Sequence, residues 1–241
     1  MVKKLKIPSL QHLSRNWREN PTQIQKELVR LAKNSPTFNY IPLFSAVNDL
    51  LVLGQSFEQV YEGISIGVKR ENVRDNFLEV LPLIQEYFDG VSPNFYQTVA
   101  MRYYPIGQDL VIPFSPPLIY GVGGQICFPW FSFWRTNPLK EQNLSLFVTL
   151  VEEMLLQDPD LDEAKFEILD FSAPKGDRAR ALFIQDARDI PRVSHSEKTE
   201  MLEIFAEGFL RAQNQLVSEP EETDKDVLQI LDSRQIDLFD S

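Results

Sequence analysis

The chain has 241 residues, of which 43% are hydrophobic and 11% aromatic, and a formal net charge of −11. This length and composition suit one large domain or two small ones with room for a core. The charge repels nucleic acid in bulk, and the single cysteine, Cys127, excludes an intramolecular disulfide framework and any multi-cysteine zinc site.

The charge is uneven along the chain. Residues 1–37 carry eight Lys/Arg against two acids, residues 38–218 carry 14 against 25, and residues 219–241 carry two against eight. Only the N-terminal arm has the sign that attracts a phosphate backbone. The start M1-V-K-K-L-K-I-P8 has charge but no long apolar stretch after it, so it does not read as a signal peptide. No run reaches about 18 uninterrupted apolar residues, so no membrane-spanning helix is predicted. A soluble cytoplasmic protein is expected, with no membrane partner and no cofactor.

The first element is a helix opened by Asn20 as cap and Pro21 at the first helical position. Ile24, Leu28 and Leu31 share one face, and Lys26, Arg30 and Lys33 lie away from it. Asn34-Ser35-Pro36 stops the helix. Residues 43–89 read as a helical array. A46-V-N-D-L-L-V-L53 is apolar enough to be buried. Ser56 and Gln59 have capping-box spacing for a short helix over 57–62, and a turn is predicted at Gly63 to Gly67. A third helix carries Val73, Phe77, Val80 or Leu81, Ile84 and Phe88 on one side. Pro82 inside it predicts a kink or a break.

Residues 95–135 have strand composition, over 96–104, 109–114, 118–122 and 126–134, with Pro- and Gly-rich turn signals between. Pro113 and Pro129 each remove a ladder hydrogen bond and belong at edges, ends or bulges. Residues 143–157 read as a helix with Leu144, Phe147, Leu150 or Val151, and Met154 inward. Residues 165–171 and 179–185 read as two strands, and Ser194 with Glu197 starts a last long helix carrying Leu202, Phe205, Phe209 and Leu216. The order predicts an α+β fold: an N-terminal helical region (1–90, with the basic arm), then a small mixed sheet with flanking helices (91–218) in the same body, then an acidic tail (219–241).

Catalytic signals are sparse. His12 and His195 are far apart, and neither has ligand spacing to Cys127, which sits in an apolar run and reads as a buried small hydrophobe. G121-V-G-G124 lacks the residues of a phosphate loop and reads as a turn between strands. Glu152-Glu153 and Glu71/Asp75 read as solvated helix faces. Arg178, Arg180, Arg188 and Arg192 flank strand ends, where they could hold an anion or a nucleic-acid phosphate, but they read chiefly as salt-bridge partners in an acidic protein.

Asp109 and Asp170 stand on predicted strands. A helix, three strands, a helix and another strand is the core order of the restriction-endonuclease-like nucleases, which residues 71–171 resemble. The resemblance implies an Asp at a strand start and Glu-x-Lys on the next strand, holding a divalent metal. Asp109 matches the first. The predicted strands over 118–134 offer neither an acid nor a Lys for the second. The resemblance therefore implies a degenerate core.

Two stretches bear on nucleic acid. One is Lys26, Arg30 and Lys33 on the first helix. The other is S56-F-E-Q-V-Y-E-G-I-S-I-G-V-K-R-E-N-V-R-D-N-F77, which resembles a helix-turn-helix with Lys69, Arg70, Asn72 and Arg74 leading its second helix. Ile64-Ser65-Ile66 depart from that pattern as an insertion, and Glu71 and Asp75 oppose approach to phosphates. An ordinary helical hairpin is the plainer reading.

The tail is acidic around Pro220, a linker composition, yet it carries Q235-I-D-L-F239 near its end. This pentapeptide resembles the linear motif by which bacterial polymerases, mismatch-repair and initiation-control proteins bind the DNA sliding clamp. The resemblance implies that Gln235 bonds at the rim of the clamp pocket and that Leu238 and Phe239 enter it. Ile236 would pack beside them and Asp237 would face outward. The alternative is a tail that docks on its own domain. The leading expectation is a non-enzymatic adaptor attached to the sliding clamp in DNA replication, repair or their regulation. Its alternatives are a protein-interaction or inhibitor module with no nucleic-acid role, and a metal-dependent nuclease on a restriction-endonuclease-like scaffold.

Overall fold

The computed structural model describes residues 5–34 and 38–218. Five helices come first: α1 (Leu10–Asn16), α2 (Pro21–Lys33), α3 (Ile41–Leu51), α4 (Phe57–Gly67) and α5 (Glu71–Phe88). Five strands follow: β1 (Phe95–Gln97), β2 (Arg102–Gly107), β3 (Leu110–Phe114), β4 (Ile119–Val122) and β5 (Gln125–Ser132). Then come α6 (Glu141–Leu155), β6 (Lys165–Asp170), β7 (Phe183–Asp186) and α7 (His195–Ser218). The fold is the expected mixture of N-terminal helices and a small mixed sheet flanked by helices.

The sheet runs β1-β4-β5-β6-β7. Its pairs are antiparallel except β5 with β6, which are parallel and joined through α6. Strands β2 and β3 form a separate hairpin. Period-two alternation sorts the sheet's side chains into two cores. Ile119, Phe128, Trp130, Phe166 and Ile168 pack with α1, α2, α6, α7 and the hairpin. Tyr120, Cys127, Phe131, Leu169 and Phe171 pack with α3, α4 and α5. Helices therefore cover both faces, and the buried strands read as continuous apolar runs.

The caps form as their spacing requires. Asn20 Oδ1 accepts from the Thr22 amide at 2.8 Å, and Ser56 and Gln59 complete a reciprocal capping box. Elsewhere tertiary contacts override local signals. Helix α4 continues through Gly63 to Gly67, because Val60 and Ile64 are both anchored in the second core. Helix α5 runs unbroken past Pro82, which is exposed, so the missing hydrogen bond falls on the solvent side. Residues 96–104 split between β1 and β2, in different sheets. Of the predicted strand 179–185 only residues 183–185 form ladder, which continues to Asp186. Ala181 instead makes a single amide bond to the Ser172 carbonyl, beside the buried Arg180. Asp109 is not on a strand. With Gln108 it forms the two-residue β2–β3 turn, at φ 59° and 51°, the left-handed pair that such a hairpin needs.

Helix α7 lies against α2 so closely that a Cβ on Gly208 would stand 2.7 Å from Ile24 Cβ and 2.9 Å from the Pro21 carbonyl oxygen. Gly63, also helical, has nothing within 4 Å of its would-be Cβ. Gly208→Ala is therefore expected to lose about 1–3 kcal/mol by overpacking, and Gly63→Ala to gain about 0.5–1 kcal/mol by helix propensity. Urea unfolding of both variants checks the pair, and a stabilised Gly208→Ala would contradict the α2–α7 contact.

Candidate anion-binding cleft

Trp17 follows α1 and is buried. Its indole Nε1 donates to the Met201 carbonyl of α7 at 3.0 Å. Ile24 and Leu28 seat α2 in the same core. This turns Glu27 and Arg30 of α2 toward Arg15, Asn16 and Arg18 at the end of α1. Opposite them runs the connector that leaves β5, Trp134 to Lys140, and the first turn of α6. Together they line a cleft of about 620 Å³.

Five cations line it: Arg15, Arg18, Arg30, Arg135 and Lys140. Two carboxylates, Glu27 and Glu141, oppose them. The local sign is thus the reverse of the chain's net −11. Arg30 makes a two-pronged pair with Glu27, at 2.9 and 2.5 Å, and that hydrogen bonding raises its pKa above the ordinary arginine value. Arg135 leans out of the cleft to Glu79 of α5 at 2.6 Å and to the Arg178 carbonyl at 2.6 Å. The Arg15 guanidinium lies 5.2 Å from the ring centre of Trp134, which also meets the His12 ring in a T-shaped contact. Arg18 donates to the carbonyls of Arg15 and Trp17, which fixes the group without cancelling its charge. Lys140 makes no ion pair among the described residues.

Lys140 is also the N-cap of α6 and gives no side-chain cap. The amides of Asn143 and Leu144 reach back to its carbonyl, at 3.1 and 3.4 Å. The amides of Glu141 and Gln142 have no intrahelical acceptor, as at any helix start, and both residues line the cleft at the positive end of the helix dipole. Glu141 itself sits at φ 49°, a left-handed conformation that a non-glycine residue rarely holds.

Of the residues singled out by sequence, Arg30 belongs to this cleft. Lys26 and Lys33 are exposed on the same helix but do not line it. Lys69, Arg70 and Arg74 stand at the α4–α5 junction, whose helices pack against the other face of the sheet. There Lys69 Nζ donates to the Ile66 carbonyl at 3.1 Å, closing α4, and Arg74 lies 3.8 Å from Asp75. The two predicted basic groups are therefore not brought together. Sequence reading missed Arg15, Arg18, Arg135 and Lys140. Arg15 and Arg18 had a usable signal, since both lie in the one segment of positive net charge. Gln235, Ile236, Asp237, Leu238 and Phe239 lie outside the described residues.

Of the arginines at strand ends, Arg180, Arg188 and Arg192 are engaged within the fold, and Arg178 is exposed. Arg188 pairs with Asp186 and Arg192 with Glu152. The side chain of Arg180 is fully buried. It donates to the carbonyls of Phe133 and Phe171, both at 2.9 Å, and to Asn76 Oδ1 of α5. Burial pushes its pKa below the usual guanidinium value, and Glu79 at 3.7 Å works against that. Asp170 is buried under Ser172 and Asn137, and burial raises its pKa. Among the described residues no three His, Cys, Asp or Glu side chains are grouped to hold a metal ion, and no helix is long and apolar enough to cross a membrane. No family model matches the chain, and no curated protein matches it.

Glu79 joins the cleft to this buried arginine, since it is shared by Arg135 and Arg180. Arg180→Met leaves two carbonyls and Asn76 without their donor, and is expected to cost about 3–5 kcal/mol. An unfolding midpoint close to wild type would show that Arg180 does not hold α5 to the sheet.

Proposed function

We propose that the chain is a non-enzymatic adaptor that attaches to the bacterial DNA sliding clamp through Gln235, Ile236, Asp237, Leu238 and Phe239, and carries its folded body to DNA under replication or repair. The observation that supports this reading most is the pentapeptide itself, which agrees with the clamp-binding motif at every position. Burying Leu238 and Phe239 in an apolar pocket is worth roughly 3–6 kcal/mol gross, enough for a peptide contact of moderate strength once ordering is subtracted. Sixteen residues, 219–234, separate the end of α7 from Gln235. Fully extended, they span at most about 55 Å, so the body could work at some distance from its anchor.

A second reading concerns the scaffold. The order α5, β1, β4, β5, α6, β6, with the β2–β3 hairpin set apart, agrees with the helix, three strands, helix, strand order of restriction-endonuclease-like nucleases. The strands that would carry the metal-binding acids, β4 (I-Y-G-V) and β5 (Q-I-C-F-P-W-F-S), have no acid and no Lys. Asp109, the one candidate, is in the exposed hairpin turn. These facts favour a scaffold used for binding over an active metal-dependent nuclease.

The test is calorimetry of the full chain against purified bacterial sliding clamp, beside Leu238→Ala/Phe239→Ala. The wild type is expected to bind with micromolar Kd, and the double variant at least tenfold more weakly. Binding by neither protein would end the clamp reading. A lowered melting temperature in the double variant would then assign Leu238 and Phe239 to the protein's own fold.

A further inference from the structure

We propose that the cleft between α1, α2 and the start of α6 is a phosphate site for nucleic acid, gripping the sugar–phosphate backbone without reading bases. The inference rests on the reading of the body as one delivered to DNA, and it assigns the contact to a different surface from the basic helix faces visible in sequence. Four observations converge on it. The lining carries five cations against two carboxylates in a chain of net charge −11, so this face attracts a polyanion that the acidic remainder repels. Arg18 is held by main-chain carbonyls and Lys140 makes no ion pair among the described residues, so both charges are available. The first turn of α6 lines the cleft beside Lys140 and brings a helix dipole of the right sign. The volume, about 620 Å³, suits a nucleotide-sized group.

The lining also says what is not recognised. Its only aromatic side chain among the described residues is Trp134, just 3% exposed, with one face under Arg15. It offers no platform for stacking a base. Binding is then electrostatic and independent of sequence. Arg135 is neutralised by Glu79 and Arg30 by Glu27, so with Glu141 the lining keeps a net two positive charges and about two phosphates are neutralised. The expected slope of log K against log salt is about −1.4 for a single strand and about −1.8 for a duplex. Raising salt from about 50 to 200 mM should therefore weaken single-strand binding about 7-fold.

Fluorescence anisotropy of the full-length protein with labelled 20-nucleotide single-stranded and duplex probes tests this. Arg18→Ala/Lys140→Ala, two exposed positions whose loss spares the core, is expected to weaken binding at least tenfold and to flatten the salt slope. Lys69→Ala/Arg70→Ala/Arg74→Ala is expected to leave both unchanged. No binding by the wild type, equal binding by the first variant, or an equal loss in the second overturns the proposal. If inorganic pyrophosphate binds in a Lys140-dependent way and neither oligonucleotide does, the cleft is a small-anion site and the nucleic-acid assignment falls. The oligonucleotide measurement contains no clamp and the clamp measurement no DNA, so each reading fails independently.

Discussion

The rest of the structure hangs on the burial of β5 from both sides. Every residue from Cys127 to Ser132 is out of water, and successive side chains serve different cores. Parallel pairing with β6 extends the same arrangement by one strand. A strand buried on both faces needs helices on both faces, and that demand organises the chain. The first two helices and the last two pack against one side and the middle three against the other. The crossover β5–α6–β6 is the link that parallel neighbours require. A one-residue insertion within β5 would send every later side chain of the strand into the wrong layer.

The cleft is a by-product of that crossover. Where the chain leaves β5 it must turn from the sheet to the start of α6, passing the end of α1 on the way. The turn is tight enough to hold Glu141 in a left-handed conformation. Arg135 links the cleft to the helical layer on the other face of the sheet. Its partner Glu79 belongs to α5, on the opposite face, and is shared with the buried Arg180. The same acid that steadies one cleft cation thus also helps hold α5 to the sheet.

How much of this could be read in advance follows the range of the interactions. Helices α2, α4, α6 and α7 were legible because caps and apolar spacing are local. The extension of α4 through two glycines was not, because its cause is the burial of Ile64 against distant residues. The stretch from Tyr96 to Tyr104 looked like one strand because composition does not name partners. Tyr96 pairs with Tyr120 in the main sheet, whereas Tyr104 pairs with Ile112 in the hairpin. Asp109 looked like a strand residue because its left-handed turn geometry is set by the hairpin that flanks it. The same logic governs the cleft. Arg30 was visible as a basic residue on an amphipathic helix, but its companions come from both halves of the chain and meet only after folding. The clamp-like pentapeptide was legible because a linear motif is contiguous by definition.

The edges of the main sheet have a consequence for self-association. Strand β1 has three residues and β7 four, and both expose large apolar side chains: Phe95 and Tyr96 on one, Phe183 and Ile184 on the other. Long edges with such residues would invite another strand to pair. Edges this short present only about two residues' worth of outward main-chain donors and acceptors, too few to template a ladder. Truncation, more than edge charge, therefore disfavours growth of the sheet from one molecule to another. At a net charge of −11 the remaining long-range force between copies is repulsive.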